Sequence, residues 1–150
     1  MIILSIDTSC DETSAAVTED TKIISNVIWS QASQHANFGG VMPSLAQRLH
    51  RERIAWVVDQ AMLNAKCQMS NIDSVAVTVG PGLAIALGVG IEKAKEIAKK
   101  FRKKIIPINH IEGHLLSSLA QPLTINPQPL TIDFPALGLV VSGGNTQLIL

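Results

Sequence analysis

Two histidines separated by one helical turn are the first candidates for chemistry in this chain. Residues 109–114 read NHIEGH, and residues four apart on a helix differ by only about 40° around its axis. His110 and His114 are therefore predicted to project from one face, where they could bind a single transition-metal ion. The alternative is a pair of unconnected helix histidines, because metal sites usually have three or four ligands.

The glutamate between these histidines does not complete a protease site. Glu112 lies two residues from each histidine, so it projects to the opposite side of the helix, about 160–200° away. In the zinc-protease pattern H-E-x-x-H, the glutamate directly follows the first histidine and can reach the metal-bound water. The spacing in NHIEGH therefore argues against a metallopeptidase, and a further metal ligand must come from a distant part of the chain.

The acidic turn DTSCDET, residues 7–13, is a second candidate site. It combines Asp7, Asp11 and Glu12 with three hydroxyl side chains. Carboxylates beside hydroxyl groups are typical of a magnesium–phosphate region or of a proton-transfer site. The alternative is an ordinary Asx-type turn, because Asp, Ser and Thr form such turns readily.

Glycine-containing turns follow two of the apolar segments. VSGGN at 141–145 lies between two predicted strands, and GPGL at 80–83 precedes a predicted helix. Glycine lets a backbone approach a ligand and expose its N–H groups, and a helix N-terminus attracts anions. A plain hairpin turn and a plain strand-to-helix turn are the alternatives. The first and last hairpins resemble each other, and facing one another they would form a clamp for phosphate. The alternative is that they are unrelated, because any α/β protein has several hairpins.

Composition indicates a globular chain whose net charge predicts no partner. The chain has 150 residues, of which 47% are hydrophobic and 3% aromatic, and its formal net charge is zero. The core must therefore be aliphatic. The two cysteines match no C-x-x-C pattern, so we expect reduced thiols in a cytoplasmic protein. The uncharged stretch 74–91 approaches the length of a membrane span, but its Gly-Pro-Gly break favours a buried strand, a tight loop and a buried helix.

The order of predicted elements gives the architecture. Three apolar segments joined by short polar turns predict an antiparallel meander up to about residue 30. Helices and strands then alternate, which together with the meander predicts a mixed-sheet α/β fold. The later segments are an amphipathic helix from Pro43 to about Ala65, the buried strand SVAVTVG, a helix over 83–100, the strand KIIPIN, a helix over 110–119, a proline-rich loop over 121–135 and a closing hairpin. His35 and His50, on either side of the Gly39–Gly40 pair, are expected to be ordinary surface or core histidines.

The five motifs occur in an order that identifies a family. IDTSCDET, HANFGGVMPSLAQRLH, GPGL, NHIEGHLL and VSGGNTQL succeed one another as in the TsaD family, also called Gcp or YgjD, the tRNA N6-adenosine threonylcarbamoyltransferases. The chain resembles roughly the first half of a family member. The resemblance implies an actin/Hsp70-like ATPase fold of two RNase-H-like lobes. Residues 1–133 are then expected to form the N-terminal lobe, and residues 134–150 the first hairpin of a second, truncated lobe.

The resemblance also implies a reaction and the residues that serve it. Family members transfer the threonylcarbamoyl group from threonylcarbamoyl-AMP to N6 of adenosine 37 in tRNAs that read ANN codons, which gives t6A. His110 and His114 would bind one Fe²⁺ or Zn²⁺ ion per subunit, and Asp11 and Glu12 are candidates for handling the amine proton. The residues expected at the cleft are Ser9, Cys10, Asp11 and Glu12 in the acidic turn and, in contact with the substrate, Val140, Val141, Ser142, Gly143 and Gly144.

Cofactors and partners follow from the same resemblance. We expect tRNA, threonylcarbamoyl-AMP or ATP with accompanying Mg²⁺, and TsaB-like and TsaE-like proteins, but no membrane. The family's remaining metal ligand is an aspartate near its C-terminus, which no residue of this chain matches. The chain alone is therefore expected to be an incomplete, inactive fragment that binds metal weakly. The chain departs from the family motifs at five positions. Asp7 stands in place of glutamate, Phe38 in place of tyrosine and Asn145 in place of histidine. Ser44 and Gln47 change the family's PELASR to PSLAQR.

Two other functions stay open at this point. The first is a non-catalytic partner subunit like the shorter TsaB paralogue, and the paired histidines argue against it because TsaB lacks them. The second is a metallopeptidase, following the family's older description as an O-sialoglycoprotein endopeptidase. The position of Glu112 argues against that activity.

Overall fold

The computed structural model of the chain describes residues 1–122, 133, 135–142 and 145–150. Its strands are β1 (Ile2–Asp7), β2 (Glu12–Glu19), β3 (Lys22–Ser30), β4 (Ser74–Gly80), β5 (Lys104–Asn109), β6 (Gln121–Pro122), β7 (Gly138–Ser142) and β8 (Asn145–Ile149). Its α-helices are α1 (Ala32–His35), α2 (Pro43–Asn64), α3 (Ala84–Phe101) and α4 (His110–Leu116), and short 3-10 turns occur at Ala36–Phe38, Met69–Asn71 and Ser117–Leu119.

One mixed sheet organises most of these elements, with the strand order β5-β4-β1-β2-β3-β6. β1, β2 and β3 pair antiparallel, whereas β4 runs parallel to β1 and β5 runs parallel to β4. Short turns suffice for the antiparallel meander, but parallel pairing needs long crossovers, which the chain supplies with α2 and α3. The predicted meander, the later alternation of helices with strands and the mixed sheet are confirmed.

The helices α2 and α3 cover one face of this sheet and form the core with it. Pro43 begins α2, where a missing N–H group costs nothing. The side chains of Ile54 and Val57 on α2 and those of Leu4 and Ile6 on β1 are buried in one aliphatic cluster. The prediction of an aliphatic core and of a helix that begins at Pro43 is therefore confirmed.

The uncharged stretch over 74–91 divides into three elements, as predicted. The first five residues of β4, Ser74–Thr78, are buried, so this strand is covered on both faces over most of its length. The Gly-Pro-Gly turn follows, and α3 begins at Ala84. In the described ranges, no helix combines the length and the apolar character that a membrane span requires.

The segment after α4 differs from its prediction. The proline-rich segment over 121–135 is predicted to be a loop, but its first two residues, Gln121 and Pro122, pair parallel to β3 as the edge strand β6. Proline is tolerated there because an edge strand can do without one N–H group. Most of the remaining segment lies outside the described residues.

The closing hairpin is confirmed, since β7 and β8 pair antiparallel as a separate two-stranded sheet. β7 lies against α4. The division into a lobe over 1–133 and the first hairpin of a second lobe over 134–150 stays a prediction.

Candidate functional site

The two histidines of α4 point at each other. Asn109 caps the helix, because its side-chain oxygen accepts hydrogen bonds from the backbone N–H groups of Ile111 and Glu112 at 2.9 and 3.3 Å. His110 Nε2 and His114 Nε2 are 3.1 Å apart, and their ring centroids lie 4.4 Å apart in an edge-to-face arrangement. The predicted placement on one helix face is therefore confirmed, while their role as metal ligands stays a prediction.

Asp7 contacts the opposite nitrogen of His110, a relationship that the sequence analysis missed. His110 Nδ1 lies 3.3 Å from Asp7 Oδ2, and an ionised carboxylate only accepts, so Nδ1–H is the donor. The same carboxylate accepts hydrogen bonds from Thr78 Oγ1 at 2.6 Å and from the Ser9 backbone N–H at 2.7 Å. Burial raises the pKa of Asp7, but the bonds from Thr78 and Ser9 and the charge of His110 outweigh burial and hold the pKa below its ordinary value.

The topology of the sheet explains why these residues meet. Asp7 ends β1, Thr78 lies near the end of β4, and His110 directly follows β5. These three strands are parallel neighbours in the sheet, so their carboxyl ends lie at one edge, the usual place for a site in an α/β fold. Each of these residues lies at or near the end of a predicted strand, and this shared position was a signal that could have revealed the contact.

Glu112 lies apart from the histidine pair. It borders a cavity of about 540 Å³ whose lining includes Asp7, Gly113 and Leu116 but neither histidine. Within the part of the chain that the structure describes, no group of three or more His, Cys, Asp and Glu side chains is arranged to hold a metal ion. The arrangement therefore offers two nitrogen ligands and no carboxylate placed as in a zinc protease.

The acidic turn is held in place through its backbone. The carbonyl groups of residues 9–11 accept, in chain order, from the Leu83 backbone N–H at 2.8 Å, from His50 Nε2 at 3.0 Å and from the Gln31 backbone N–H at 2.9 Å. A Cβ atom on Gly82 would lie 2.6 Å from the Ser9 carbonyl oxygen. The second glycine of GPGL is therefore required for a close approach between this strand-to-helix turn and the acidic turn.

His50 is a fully buried histidine that joins the middle of the acidic turn, at Cys10, to its last residue, Thr13. Its Nε2 bonds the Cys10 carbonyl, and its Nδ1 lies 2.7 Å from Thr13 Oγ1. A carbonyl oxygen only accepts, so Nε2 carries the ring proton, and Nδ1 accepts the Thr13 hydroxyl proton when the ring is neutral. Burial lowers the pKa of His50, which favours this neutral form.

His35 and Gln31 extend the buried polar network towards the start of α2. The Met42 N–H donates to His35 Nδ1 at 3.3 Å, His35 Nε2 donates to Gln31 Oε1 at 3.0 Å, and Gln31 Nε2 donates to the Ala46 carbonyl at 3.4 Å. The side chains of His35 and Gln31 are buried. His35 and His50 are therefore core residues, one of the two placements expected for them.

The side chains of the acidic turn differ in exposure. Ser9 is buried, Asp11 is half-buried, and Cys10 and Glu12 are exposed. Cys10 is exposed as a residue, but the pKa of its thiol is raised to about 11. The largest cause is partial desolvation of the thiol, and a hydrogen bond with Asp11 and the negative charge of Asp11 raise the pKa further. The thiol is therefore protonated at neutral pH and is no ready nucleophile. The expected position of these four residues at a cleft, and proton transfer by Asp11 and Glu12, stay predictions.

The second group of predicted site residues lies on the closing hairpin. Val140 is buried and Val141 is exposed, as the alternation of a strand requires. Ser142 ends β7, and Gly143 and Gly144 lie outside the described residues. Because β7 lies against α4, the hairpin is adjacent to the helix that carries the two histidines. The substrate contacts of these five residues stay predictions.

The strand order identifies the structural class of this protein. An antiparallel meander followed by two parallel strands on the side of β1 is the RNase-H-like arrangement of the actin/Hsp70-like ATPase fold, and YeaZ from Pseudomonas aeruginosa shares it. The two structures superpose with a TM-score of 0.57 at 20% sequence identity, over 72% of this chain and 43% of YeaZ. The predicted fold class is confirmed.

The sequence then gives the family. The profile of the TsaD family, described as tRNA N6-adenosine threonylcarbamoyltransferase, matches residues 22–150, and the chain belongs to this family. The enzymes of that name from Staphylococcus epidermidis and Caldicellulosiruptor bescii are each 46% identical to it, over 99% and 100% of the chain. The chain spans only 42% and 43% of the length of these two relatives.

Proposed function

We propose that this chain supplies the metal-binding helix and the substrate-facing acidic turn of a tRNA N6-adenosine threonylcarbamoyltransferase. The observation that carries the proposal is the 3.1 Å separation between His110 Nε2 and His114 Nε2. Two nitrogen ligands of a tetrahedral ion, each about 2.0–2.1 Å from the metal, lie about 3.3–3.4 Å apart. The pair therefore needs only a small outward movement to hold one ion.

The two histidines fit two positions of an Fe²⁺ or Zn²⁺ ion, one per chain. Three or four ligands are usual, and the described residues offer no third side chain at this point. The remaining positions are thus available to water, to the substrate or to a ligand from outside the described residues. Two protein ligands alone bind weakly, so we expect weak metal binding by the isolated chain.

The proposed reaction transfers the threonylcarbamoyl group from threonylcarbamoyl-AMP to adenosine 37 of tRNAs that read ANN codons. A bond forms between N6 and the carbamoyl carbon, the bond from that carbon to the AMP phosphate oxygen breaks, and N6 loses a proton. Lewis-acid polarisation of the carbamoyl carbonyl is the chemistry that an ion on His110 and His114 would supply when bound. Asp11 and Glu12 are the proposed acceptors of the N6 proton.

The hydrogen-bonded backbone of the acidic turn supports the proposal that Asp11 and Glu12 accept the N6 proton. Because the carbonyl groups of residues 9–11 each have a fixed donor, the turn presents its carboxylates from a constrained backbone. Such positioning can supply much of the rate of a group transfer between bound reactants. The hairpin residues Val140–Gly144 are proposed to contact the donor, next to α4.

The proposal includes partners and a compartment. tRNA and threonylcarbamoyl-AMP, or ATP with Mg²⁺, are the proposed ligands, and TsaB-like and TsaE-like proteins are the proposed protein partners. Both cysteines are free thiols, which agrees with a reducing compartment. We therefore propose that the protein acts in the cytoplasm.

A chimaeric enzyme tests the function. Residues 1–150 would replace the corresponding segment of the Staphylococcus epidermidis relative, and t6A would be measured after incubation with tRNA, threonylcarbamoyl-AMP and Fe²⁺. We expect t6A from the chimaera and from its Glu112→Ala variant, and its loss in the His110→Ala, His114→Ala double variant. A folded, metal-loaded chimaera that forms no t6A would contradict the proposal, and peptide cleavage without t6A would support a metallopeptidase instead.

A further inference from the structure

We propose that Asp7 is a positioning residue that fixes the ring proton of His110 on Nδ1 and thereby leaves the His110 Nε2 lone pair available to a metal ion. The part that concerns metal rests on the proposed function. The part that concerns the proton depends only on side chains of the described chain.

The carboxylate of Asp7 is held in a fixed orientation. Oδ1 accepts the Ser9 N–H, and Oδ2 accepts the Thr78 hydroxyl proton and faces His110 Nδ1. The side chains of Asp7 and His110 are only 30% and 27% exposed, so water screens their interaction less than that of a surface pair. An ionised acceptor in this position requires His110 Nδ1 to be the donor.

The consequence for His110 concerns its second nitrogen. A neutral imidazole that donates from Nδ1 has its lone pair on Nε2, and this lone pair faces His114 Nε2 at 3.1 Å. In the metal-free chain the His114 Nε2–H group donates to it. A carboxylate that bonds the distal nitrogen of a metal-binding histidine fixes its tautomer and raises its basicity as a ligand.

An asparagine at position 7 would reverse this arrangement without changing the shape of the side chain. In Asp7→Asn the amide oxygen is expected to stay on the Ser9 N–H, because a backbone N–H can only donate. The NH₂ group then donates to the Thr78 hydroxyl, which can accept as well as donate, and lies opposite His110 Nδ1. Nδ1 must then accept, so the ring proton moves to Nε2. In that tautomer Nε2 has no lone pair for a metal ion. Asp73→Asn is the matched control, because Asp73 Oδ2 accepts the Ile2 N–H at 2.7 Å at the opposite end of β1.

The experiment uses the 150-residue chain labelled with ¹⁵N-histidine, and it reads the tautomer of His110 from two-bond ¹H–¹⁵N correlations without metal. We expect the Nδ1–H tautomer in the wild type and in Asp73→Asn, and the Nε2–H tautomer in Asp7→Asn. In a parallel Zn²⁺ titration we expect Asp7→Asn to weaken binding about 10–100-fold and Asp73→Asn to leave it unchanged.

Two results would overturn the inference. One is a His110 ring that carries its proton on Nε2 in the wild type, a measurement that needs no variant to fold. The other is Zn²⁺ affinity that Asp7→Asn leaves unchanged, while the His110→Ala, His114→Ala double variant loses it. If that double variant binds Zn²⁺ as the wild type does, the proposed metal site fails, and the tautomer measurement still decides the role of Asp7.

Discussion

The hydroxyl oxygen of Thr8 accepts a hydrogen bond from the backbone N–H of Gly90 at 3.1 Å. The same hydroxyl donates to the Ala86 carbonyl at 2.8 Å. This carbonyl and this amide are four residues apart, which is the spacing of a helical hydrogen bond, so both lie on the same turn of α3. Thr8 therefore ties the start of the acidic turn to one turn of α3, and Gly90 permits the close approach because a Cβ there would lie 2.7 Å from Thr8 Oγ1.

Two glycines of α3 should respond oppositely to the same substitution. Gly90→Ala is expected to lower the free energy of unfolding by about 1–3 kcal/mol, because it displaces the buried Thr8 hydroxyl from its partners. Gly88→Ala adds a Cβ that meets no atom of the described residues within 4 Å, so it should raise the free energy of unfolding by about 0.5–1 kcal/mol through helix propensity. Urea unfolding followed by circular dichroism measures both, and effects of the same sign would contradict the close contact between Thr8 and Gly90.

His50 should make the stability of the chain depend on pH. Burial holds its pKa below the ordinary value of 6.5, so the unfolded chain binds a proton first as the pH falls. Its contribution is therefore complete above the ordinary pKa and is lost as the pH falls from there through the lower folded-state pKa. His50→Gln keeps a donor for the Cys10 carbonyl but does not titrate. We expect the difference between the stabilities of wild type and variant to vary between about pH 7 and pH 5, and a constant difference would contradict the assignment.

A second substitution at the same position tests the hydrogen bonds and not the charge. His50→Leu leaves the Thr13 hydroxyl and the Cys10 carbonyl without their partner inside the protein. We expect a loss of about 2–4 kcal/mol in the free energy of unfolding, because each unsatisfied buried polar group costs about 1–3 kcal/mol. A loss no larger than that in His50→Gln, measured by urea unfolding at pH about 8, would show that these bonds contribute little.

Cys10 should react slowly with alkylating reagents. With a pKa raised from 9.0 to about 11, its thiolate fraction at neutral pH is about a hundredfold lower than that of an ordinary cysteine. The Cys67→Ser variant isolates this thiol, and its rate with iodoacetamide should keep rising with pH well beyond 9.0. Asp11→Asn should speed the reaction about 3- to 10-fold at neutral pH, because it removes a nearby negative charge. A rate that levels off near the ordinary pKa would contradict this account.

Periodicity and turn chemistry predicted much of the fold, because those signals are local. The apolar spacing after Pro43 gave α2, and the Gly-Pro-Gly break separated β4 from α3. The one-turn spacing of His110 and His114 likewise fixed their common face, since helix geometry alone determines it. The two-residue strand β6 was missed because it forms only where the open edge of β3 lies within reach.

The contacts between distant residues were harder to predict. Asp7 and His110 are 103 residues apart in the chain, and they meet only because β1, β4 and β5 end at one edge of the sheet. The environment of His50 depends on the packing of α2 against the acidic turn. His50 and its partner Cys10 are 40 residues apart in the chain. Residue type and spacing carry no information about such a bond until the sheet order and the helix positions are known.

The central claim is that His110 and His114 hold one metal ion together. Titration of the metal-free chain with Zn²⁺ by calorimetry tests it most directly, beside the His114→Ala variant and the control variant Glu112→Ala from the same helix. We predict one ion per chain, unchanged affinity in Glu112→Ala and affinity at least about tenfold weaker in His114→Ala, because a protein ligand is lost. Equal affinity of His114→Ala and the wild type would contradict the claim.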